Sequence, residues 1–311
     1  MTSSTASTRA WREERPVDLA ATLAPLQHGP HDPTVHQAVD GSWWIGLATP
    51  AGPATLRLSA HAGDGEVHAV AVGPGAEWAL AQAPAIVGAQ DDPTGFTPRH
   101  RLVARAWHIH PGWRVPRTGL VFTALMPVVL EAQVAVVEAH LAWRRLVAAL
   151  GPLAPGAGDG QAPAGLRVPP SPAALAGLAS WDWHRLGVDG WRRRTLQGAA
   201  ARAAALERTA GVAASQADQA LRSLPGVGPW TSAQVRVRAH GDPDAVPVGD
   251  ANLPAAVGLA LVGEPVDDAG MLDLLSVYAG HRYRVVRMVE LSGVWPARHA
   301  PRAARRDYRD R

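Results

Sequence analysis

The chain has 311 residues, of which 47% are hydrophobic and 18% charged, so we expect a globular protein of about two domains. It contains no cysteine, which excludes disulfides, thiolate nucleophiles and cysteine-ligated metal centres. No lysine occurs either, so all 30 basic residues are arginine and Schiff-base chemistry through a lysine amine is excluded. The formal charge of +3 is too small by itself to indicate a polyanionic partner.

The sequence gives no sign of a membrane segment or a secretory leader. The longest apolar run, residues 119–130, is interrupted by Pro127 and falls short of the roughly 20 residues that cross a bilayer. The first ten residues, MTSSTASTRA, lack the apolar stretch of a signal peptide. We therefore expect a cytoplasmic protein without a membrane partner, whose residues 1–15 form a disordered tail.

The first part of the chain is predicted to be an antiparallel sheet. Three short runs of partly alternating apolar residues are separated by Gly and Pro clusters: 42–49 (SWWIGLAT), 54–59 (ATLRLS) and 66–72 (EVHAVAV). Residues 75–85 favour a short helix. Residues 91–117 are rich in Pro, Gly and His and are interpreted as a connecting segment, with the domain boundary between residues 96 and 97.

The second part is predicted to be all helical. Apolar residues at helical spacing over 118–150 indicate one helix, which Pro127 kinks or starts and Gly151 ends. A linker is expected over 151–170, and further helices over 171–179, 189–210 and 216–224. The predicted fold is therefore α+β, with a β-rich N-terminal domain (16–96), an all-α domain (97–300) and a basic tail (301–311).

A glycine-containing turn between two predicted helices is more informative about function than the segments above. Leu224-Pro225-Gly226-Val227-Gly228 ends one helix, and Pro229 opens the next at the first helical position, where a missing N–H costs nothing. The glycines permit close approach of the backbone, and a helix start offers free N–H groups to a phosphate. An ordinary helical hairpin is the alternative interpretation.

An aspartate follows at a defined place. The stretch VPVGD ends at Asp250, directly before a predicted helix over 251–261, so Asp250 is expected to be the N-cap. A capping carboxylate stays ionised and fixed at a helix terminus, so a cap and a catalytic role are compatible.

The segment LPGVGPWTSAQV, followed about 20 residues later by Asp250, resembles the helix-hairpin-helix DNA glycosylase superfamily, and within it 3-methyladenine DNA glycosylase II. The resemblance covers roughly residues 97–295, including HPGWRVPR and a late helix over 281–292. That branch carries an N-terminal β-rich domain, which residues 35–85 would fit. The resemblance implies an enzyme of base excision repair that binds duplex DNA, flips a damaged base and hydrolyses its N-glycosidic bond.

The resemblance also implies roles for single residues. Asp250 would stabilise the oxocarbenium-like transition state and position water. An alkylated purine is the expected substrate, because it already carries positive charge and leaves without a strong general acid. Trp230 would line the base pocket at the position where the lyase branch has its catalytic Lys, so we expect monofunctional hydrolysis; a core aromatic is the alternative role for Trp230.

The same comparison assigns the DNA contacts and shows departures. The resemblance implies that Gly226, Gly228, Thr231 and Arg282 contact DNA. Gln133, within Ala-Gln-Val-Ala, stands at the wedge that fills the gap left by the flipped base, with a solvent-facing helix residue as the alternative. Gln234 and His281 stand where aromatic pocket residues are expected, so the pocket would be more polar than in that relative.

The remaining candidates are weaker. Glu131 is the alternative catalytic carboxylate, although an exposed helix position is expected for it. We expect His28, His31, His36, His108 and His110 to be solvated or capping loop residues, and we predict neither a metal site nor a cofactor. Trp181 and Trp183 are interpreted as core anchors of a helix start, and the arginines at 192–194 and 298–311 as solvated faces that could add phosphate contacts.

The sequence leaves three hypotheses for the function. The first is a monomeric, monofunctional DNA glycosylase with damaged double-stranded DNA as its partner. The second is a non-catalytic helix-hairpin-helix protein that binds DNA or senses damage, which predicts binding without base release. The third is an unrelated α+β protein with a structural hairpin, which would show no salt-dependent affinity for DNA.

Overall fold

The computed structural model describes residues 6–60 and 65–296, and the structural statements below refer to this part of the chain. One sheet contains the strands β1 (Ser7–Arg12), β2 (Val35–Gln37), β3 (Trp43–Thr49), β4 (Gly52–Ala60) and β5 (Glu66–Val72). The strands are antiparallel and lie in the order β1-β5-β4-β3-β2. The sheet confirms the three predicted strands and adds an edge strand on each side.

The α-helices of this part of the chain are α1 (Leu19–Leu23), α2 (Ala76–Ile86), α3 (Arg101–Ile109), α4 (Val121–Glu131), α5 (Val136–Leu150), α6 (Pro172–Ala176), α7 (Ser180–Arg185), α8 (Gly190–Ala201), α9 (Ala203–Arg208), α10 (Ala214–Arg222), α11 (Pro229–Val235), α12 (Leu253–Leu261), α13 (Asp268–Ser276) and α14 (Arg282–Leu291). A π-helical turn, Arg236–His240, continues α11. None of these helices is long and apolar enough to cross a bilayer.

Three large apolar clusters, and a smaller fourth described below, hold these elements together. The inner face of the sheet packs against α1 and α2, with Trp43 and Leu56 almost fully buried. A second cluster joins α4, α5 and α8 around Trp143 and Trp183. A third joins α3 to α12, α13 and α14 around Trp113. The α+β class is confirmed, whereas the division into two domains at residue 96 stays a prediction.

The prediction that residues 1–15 form a disordered tail is wrong for Ser7–Arg12, because these residues form β1. This edge strand pairs with β5 from Ser7 opposite Ala71 to Arg12 opposite Glu66. The side chains of β1 are mostly polar and exposed, so the strand shows no hydrophobic alternation in the sequence. It joins the sheet through its backbone hydrogen bonds. Residues 1–5 of that tail, and the basic tail at 301–311, lie outside the described residues.

Two connecting segments differ from their predictions. The segment over 91–117 contains α3, whose buried side chains are Val103 and Ala106, too few to stand out among its Arg and His residues. The linker over 151–170 packs its small apolar side chains on the outer face of the sheet, against Trp44 and Ala48 of β3. Apolar residues of both segments are therefore part of the fold.

Several predicted helices are interrupted or shortened. The single helix expected over 118–150 consists of α4 and α5, which are separated at Gln133. The helix expected over 189–210 is divided into α8 and α9, and the one expected over 251–261 begins only at Leu253. Trp183 is buried as expected, but Trp181 is 67% exposed, so its assignment to the core is wrong.

Candidate functional site

The hairpin predicted from the glycines is formed by α10, a tight turn and α11. Gly226 has a φ of +91°, and a Cβ atom placed on it would lie 2.0 Å from Oγ1 of Thr195. A side chain is therefore excluded at Gly226 both by conformation and by the contact with α8. Gly228, by contrast, is exposed, has an ordinary φ of −94°, and has no atom within 4 Å of such a Cβ.

The start of α11 faces solvent at Gly228 and Pro229. Pro229 occupies the first helical turn, as expected. The side chain of Thr231 is buried, so only the backbone of Thr231 is left for the DNA contact that the resemblance implies. Because the helix start is exposed and no other atom lies close to Gly228, an anion has room to bind there.

Trp230 and Asp250 meet beside this turn. Trp230 Nε1 donates a hydrogen bond to Asp250 Oδ2 over 3.0 Å, and the ring packs half-buried against the helical core. The two residues predicted as pocket wall and catalytic carboxylate are thus in direct contact. The core role considered for Trp230 and its position next to Asp250 hold at the same time.

Asp250 is not itself the N-cap of α12, because that helix begins at Leu253 and its N-cap is Asn252. Asp250 Oδ1 nevertheless accepts hydrogen bonds from the backbone N–H groups of Asn252, at 2.9 Å, and Leu253, at 3.0 Å. Together with the hydrogen bond from the Trp230 indole to Oδ2, these bonds hold the Asp250 carboxylate through both of its oxygens. The position of the carboxylate at the start of α12 is thereby fixed.

Gln234 lies one helical turn after Trp230, on the side of α11 that leads to Arg238. Arg238 donates to the side-chain oxygen of Gln234 and, over 2.8 Å, to its backbone carbonyl. Arg238 Nε also donates to the carbonyl of Pro25 over 2.7 Å. The amide of Gln234 is therefore already held by a guanidinium that sequence reasoning did not single out.

A cavity of about 60 Å³ lies between the sheet and α4, and Arg238 is among its lining residues. Most of its wall is apolar and includes Ile45 and Leu47 of β3 and Pro127 of α4. His28 and Thr34 supply polar groups. The face of α11 that begins at Trp230 thus continues, through Gln234 and Arg238, to a space between the sheet and the helices.

His281 and Arg282 both have protein partners at the start of α14. His281 Nε2 donates to the Thr94 carbonyl over 3.1 Å, and its ring packs edge-on against Phe96. Arg282 binds both carboxylate oxygens of Asp244, with 2.8 Å from Nε to Oδ1. Burial would raise the pKa of Asp244, but the hydrogen bonds from Arg282 lower it below its ordinary value. In the protein alone, Arg282 therefore fixes α14 to the loop at Asp244 rather than standing free for DNA.

Gln133 lies in the short connection between α4 and α5, not within a helix. Its φ is +58°, the one positive value among the non-glycine residues that the structure describes, and its side chain is exposed. Val136 and Val137 follow with exposed fractions of 62% and 66%. The connection therefore presents a polar tip next to two exposed apolar side chains.

Glu131, expected to be exposed, points inward. Its Oε1 accepts from His28 Nδ1 over 2.7 Å and lies 3.9 Å from Nε2 of His140. Burial would raise the pKa of the Glu131 carboxyl, but the adjacent His28 and the charge of Arg238 hold it below its ordinary value. Burial also lowers the pKa of His140. His28 is therefore a buried partner, and its assignment as a solvated loop residue is wrong.

No family model matches the chain. Over 194 residues, 61% of its length, the chain is 32% identical to a probable bifunctional transcriptional activator/DNA repair enzyme AlkA of Mycobacterium tuberculosis (strain CDC 1551 / Oshkosh). The aligned part is 36% of that protein, so the chain spans about a third of the length of the curated relative it matches.

Two solved structures share the fold over almost the whole chain. A 3-methyladenine DNA-glycosylase from Archaeoglobus fulgidus superposes with a TM-score of 0.73, at 14% identity, over 92% of this chain and 98% of that chain. An 8-oxoguanine glycosylase/lyase from Clostridium acetobutylicum superposes with a TM-score of 0.68, at 14% identity, over 94% of this chain and 100% of that chain. The chain therefore has the fold of these two DNA glycosylases and is similar in sequence to the AlkA relative over 194 residues.

Proposed function

We propose that this chain is a monofunctional DNA glycosylase of base excision repair, which flips an alkylated purine out of duplex DNA and hydrolyses its N-glycosidic bond. The observation that carries the proposal is the contact between Trp230 and Asp250 beside the exposed start of α11. An aromatic wall and a fixed carboxylate are what a cationic base and a developing oxocarbenium ion require.

The hydrogen bonds of Asp250 suit a catalytic carboxylate. Two backbone amides share Oδ1, and the indole uses one position on Oδ2. A carboxylate has about four acceptor positions, so Oδ2 keeps capacity for a water or for the sugar. Asp250 is thus held in place, as preorganised stabilisation demands, without being saturated.

Hydrolysis without strand cleavage follows from the side chains available. Strand cleavage through a Schiff base needs an amine. Position 230 is a tryptophan, and the chain contains no lysine at any other position. We therefore expect the product strand to carry an intact abasic site, which breaks only on treatment with alkali.

Binding of duplex DNA is assigned to the hairpin and to the connection between α4 and α5. Gly228 leaves the start of α11 open to a phosphate, and Gln133 projects from its own connection as the residue that replaces the flipped base. The relatives that share the fold are described as a 3-methyladenine glycosylase and as an 8-oxoguanine glycosylase/lyase, so the fold is compatible with more than one lesion.

The test is incubation with methylated duplex DNA and mass spectrometry of the released bases. The wild-type protein should release 3-methyladenine or 7-methylguanine, and Asp250→Asn should lower the rate roughly 10²- to 10³-fold while DNA affinity is retained. Asp267→Asn is the matched control, because Asp267 also accepts a backbone hydrogen bond at a helix start, from Gly270 N, but is the N-cap of a different helix, α13.

Other outcomes decide between the alternatives. Unchanged release from Asp250→Asn would remove Asp250 from the mechanism. Salt-dependent binding without release from methylated, deaminated or oxidised DNA would favour the damage sensor. An absence of salt-dependent binding would leave the hairpin as a purely structural element.

A further inference from the structure

The connection that carries Gln133 is held in a conformation that the chain does not adopt without support. A non-glycine residue in the left-handed region is strained, and such strain persists only where surrounding contacts over-determine it. The residues around Gln133 therefore need partners outside α4 and α5.

Arg192 supplies the first partner. It lies near the start of α8 and is 5% exposed, and its Nη2 donates to the carbonyl of Ala132, directly before Gln133. Its Nη1 binds Oδ2 of Asp189, whose Oδ1 accepts from the backbone N–H of Arg192 over 2.9 Å. One end of the guanidinium is thus held by Asp189, the N-cap of α8, and the other end binds the connection at Ala132.

Glu131 supplies the second partner, on the other side. Its bond to His28 ties the end of α4 to the segment before β2, and His28 N in turn donates to Asp32 Oδ2 over 2.7 Å. The two residues before Gln133 are therefore anchored to separate parts of the fold. These two anchors restrict the movement of the connection at Gln133.

We propose that Arg192 is the positioning residue of the base-flipping step: by holding the carbonyl of Ala132, it presents Gln133 as a preformed probe that enters the duplex. The inference rests on the proposed function, since it takes Gln133 as the wedge. The alternative is that Arg192 merely satisfies a carbonyl at the end of α4, as basic side chains commonly do.

The test uses a duplex with 2-aminopurine beside a tetrahydrofuran abasic analogue. Entry of the probe unstacks the 2-aminopurine and raises its fluorescence, and anisotropy reports binding separately. Arg192→Met should slow the fluorescence rise roughly 10- to 100-fold, because misplacement of a catalytic part by about 1 Å has an effect of this size. Affinity for undamaged duplex, which depends on phosphate contacts, should change little. Arg202→Met, an exposed arginine at the end of α8, is the matched control.

A double-mutant cycle with Gln133→Ala separates positioning from general stability. If Arg192 acts through the tip, the double variant should be no slower than Gln133→Ala alone, whereas independent effects add. Additive losses, or a loss that follows only the melting temperature, would overturn the proposal. Should Arg192→Met fail to fold, Arg192→Lys replaces it, because an ammonium keeps the charge beside Asp189 but loses the planar fork that reaches both partners.

The fluorescence readout requires no base release. A wild-type protein that unstacks this duplex but releases no base from methylated, deaminated or oxidised DNA would contradict the proposed function alone, and the double-mutant cycle would still support or overturn the role of Arg192. A wild-type protein that binds this duplex without any rise in fluorescence would show that the inference is wrong.

Discussion

The indole N–H of Trp230, on α11, and the carboxylate of Asp250, in the loop before α12, are joined by a 3.0 Å hydrogen bond, although 20 residues separate them in sequence. The bond connects the hairpin, whose turn is expected to face a phosphate, to the residue expected to face the sugar. It also leaves Trp230 with two roles, as an aromatic surface and as a hydrogen-bond donor, which substitution can separate.

Trp230→Phe retains the aromatic surface and removes only the donor. We expect the single-turnover rate of base release to fall roughly 10- to 100-fold, corresponding to the roughly 1.5–3 kcal/mol of a hydrogen bond to a charged group, with DNA affinity unchanged. Trp181→Phe, at an indole that is 67% exposed, should have no effect. A loss of affinity with an unchanged rate would make Trp230 a DNA contact instead.

Gly226 and Gly228 should respond differently to alanine. Gly226→Ala places a methyl group against Thr195 at a positive φ, so we expect it to destabilise the fold by about 1–3 kcal/mol, measured by urea unfolding. Gly228→Ala meets no atom within 4 Å and should leave stability unchanged. Its methyl group should nevertheless obstruct a phosphate at the backbone, so affinity for duplex DNA should fall.

Gly211→Ala provides the control for both glycines, since a Cβ there also meets no atom within 4 Å and the residue lies outside the hairpin. If Gly228→Ala leaves affinity unchanged, the hairpin does not contact phosphate. If Gly226→Ala is as stable as the wild type, the contact with Thr195 relaxes without cost.

The hairpin was predictable from sequence because its signals are local. Pro229 and the glycines impose their backbone preferences within a few residues, whatever the rest of the fold does. The separation of α4 from α5 was not predictable in this way. No Gly or Pro marks Gln133, and the contacts that hold it come from Arg192 and His28, which are 60 residues or more distant from their partners in sequence.

The polar site residues show the same limit. Arg282 matched a family position, but its pairing with Asp244 depends on how α14 docks. Glu131 ends an apolar helix and looked like an exposed residue, yet the fold turns it toward His28. Sequence spacing predicts candidate residues for the site, whereas their partners are set by tertiary contacts that one sequence does not reveal.

A buried ion pair beside His281 should be important for stability. Arg284 is 0% exposed and binds both oxygens of Asp91, at 2.7 and 3.0 Å, within an aromatic surround that includes Phe96. Asp91→Ala leaves a buried guanidinium unpaired, so we expect about 3–5 kcal/mol of destabilisation by urea unfolding. Asp92→Ala removes the exposed neighbouring carboxylate and should cost under about 1 kcal/mol. Equal effects of the two substitutions would contradict this role for the pair.

His240 should make the fold sensitive to mild acid. Burial, together with the charges of Arg236 and Arg117, lowers the pKa of His240 from 6.5 to about 4, while its Nε2 bonds Thr209 Oγ1 over 3.0 Å. The unfolded chain therefore takes up this proton first as the pH falls. Stability that is fully present above pH 6.5 should be lost progressively down to pH 4, by on the order of 2–3 kcal/mol.

Comparison with His240→Gln isolates this contribution, because every other titrating group is common to both proteins and the Gln amide can still donate to Thr209. Urea unfolding between pH 7.5 and 4.5 should show the wild type losing stability faster than His240→Gln as the pH falls. His36→Gln, at an exposed residue of β2, should follow the wild type. Parallel curves for the wild type and His240→Gln would mean that His240 accepts its proton equally well in the folded and unfolded chain, and that the acid sensitivity arises elsewhere.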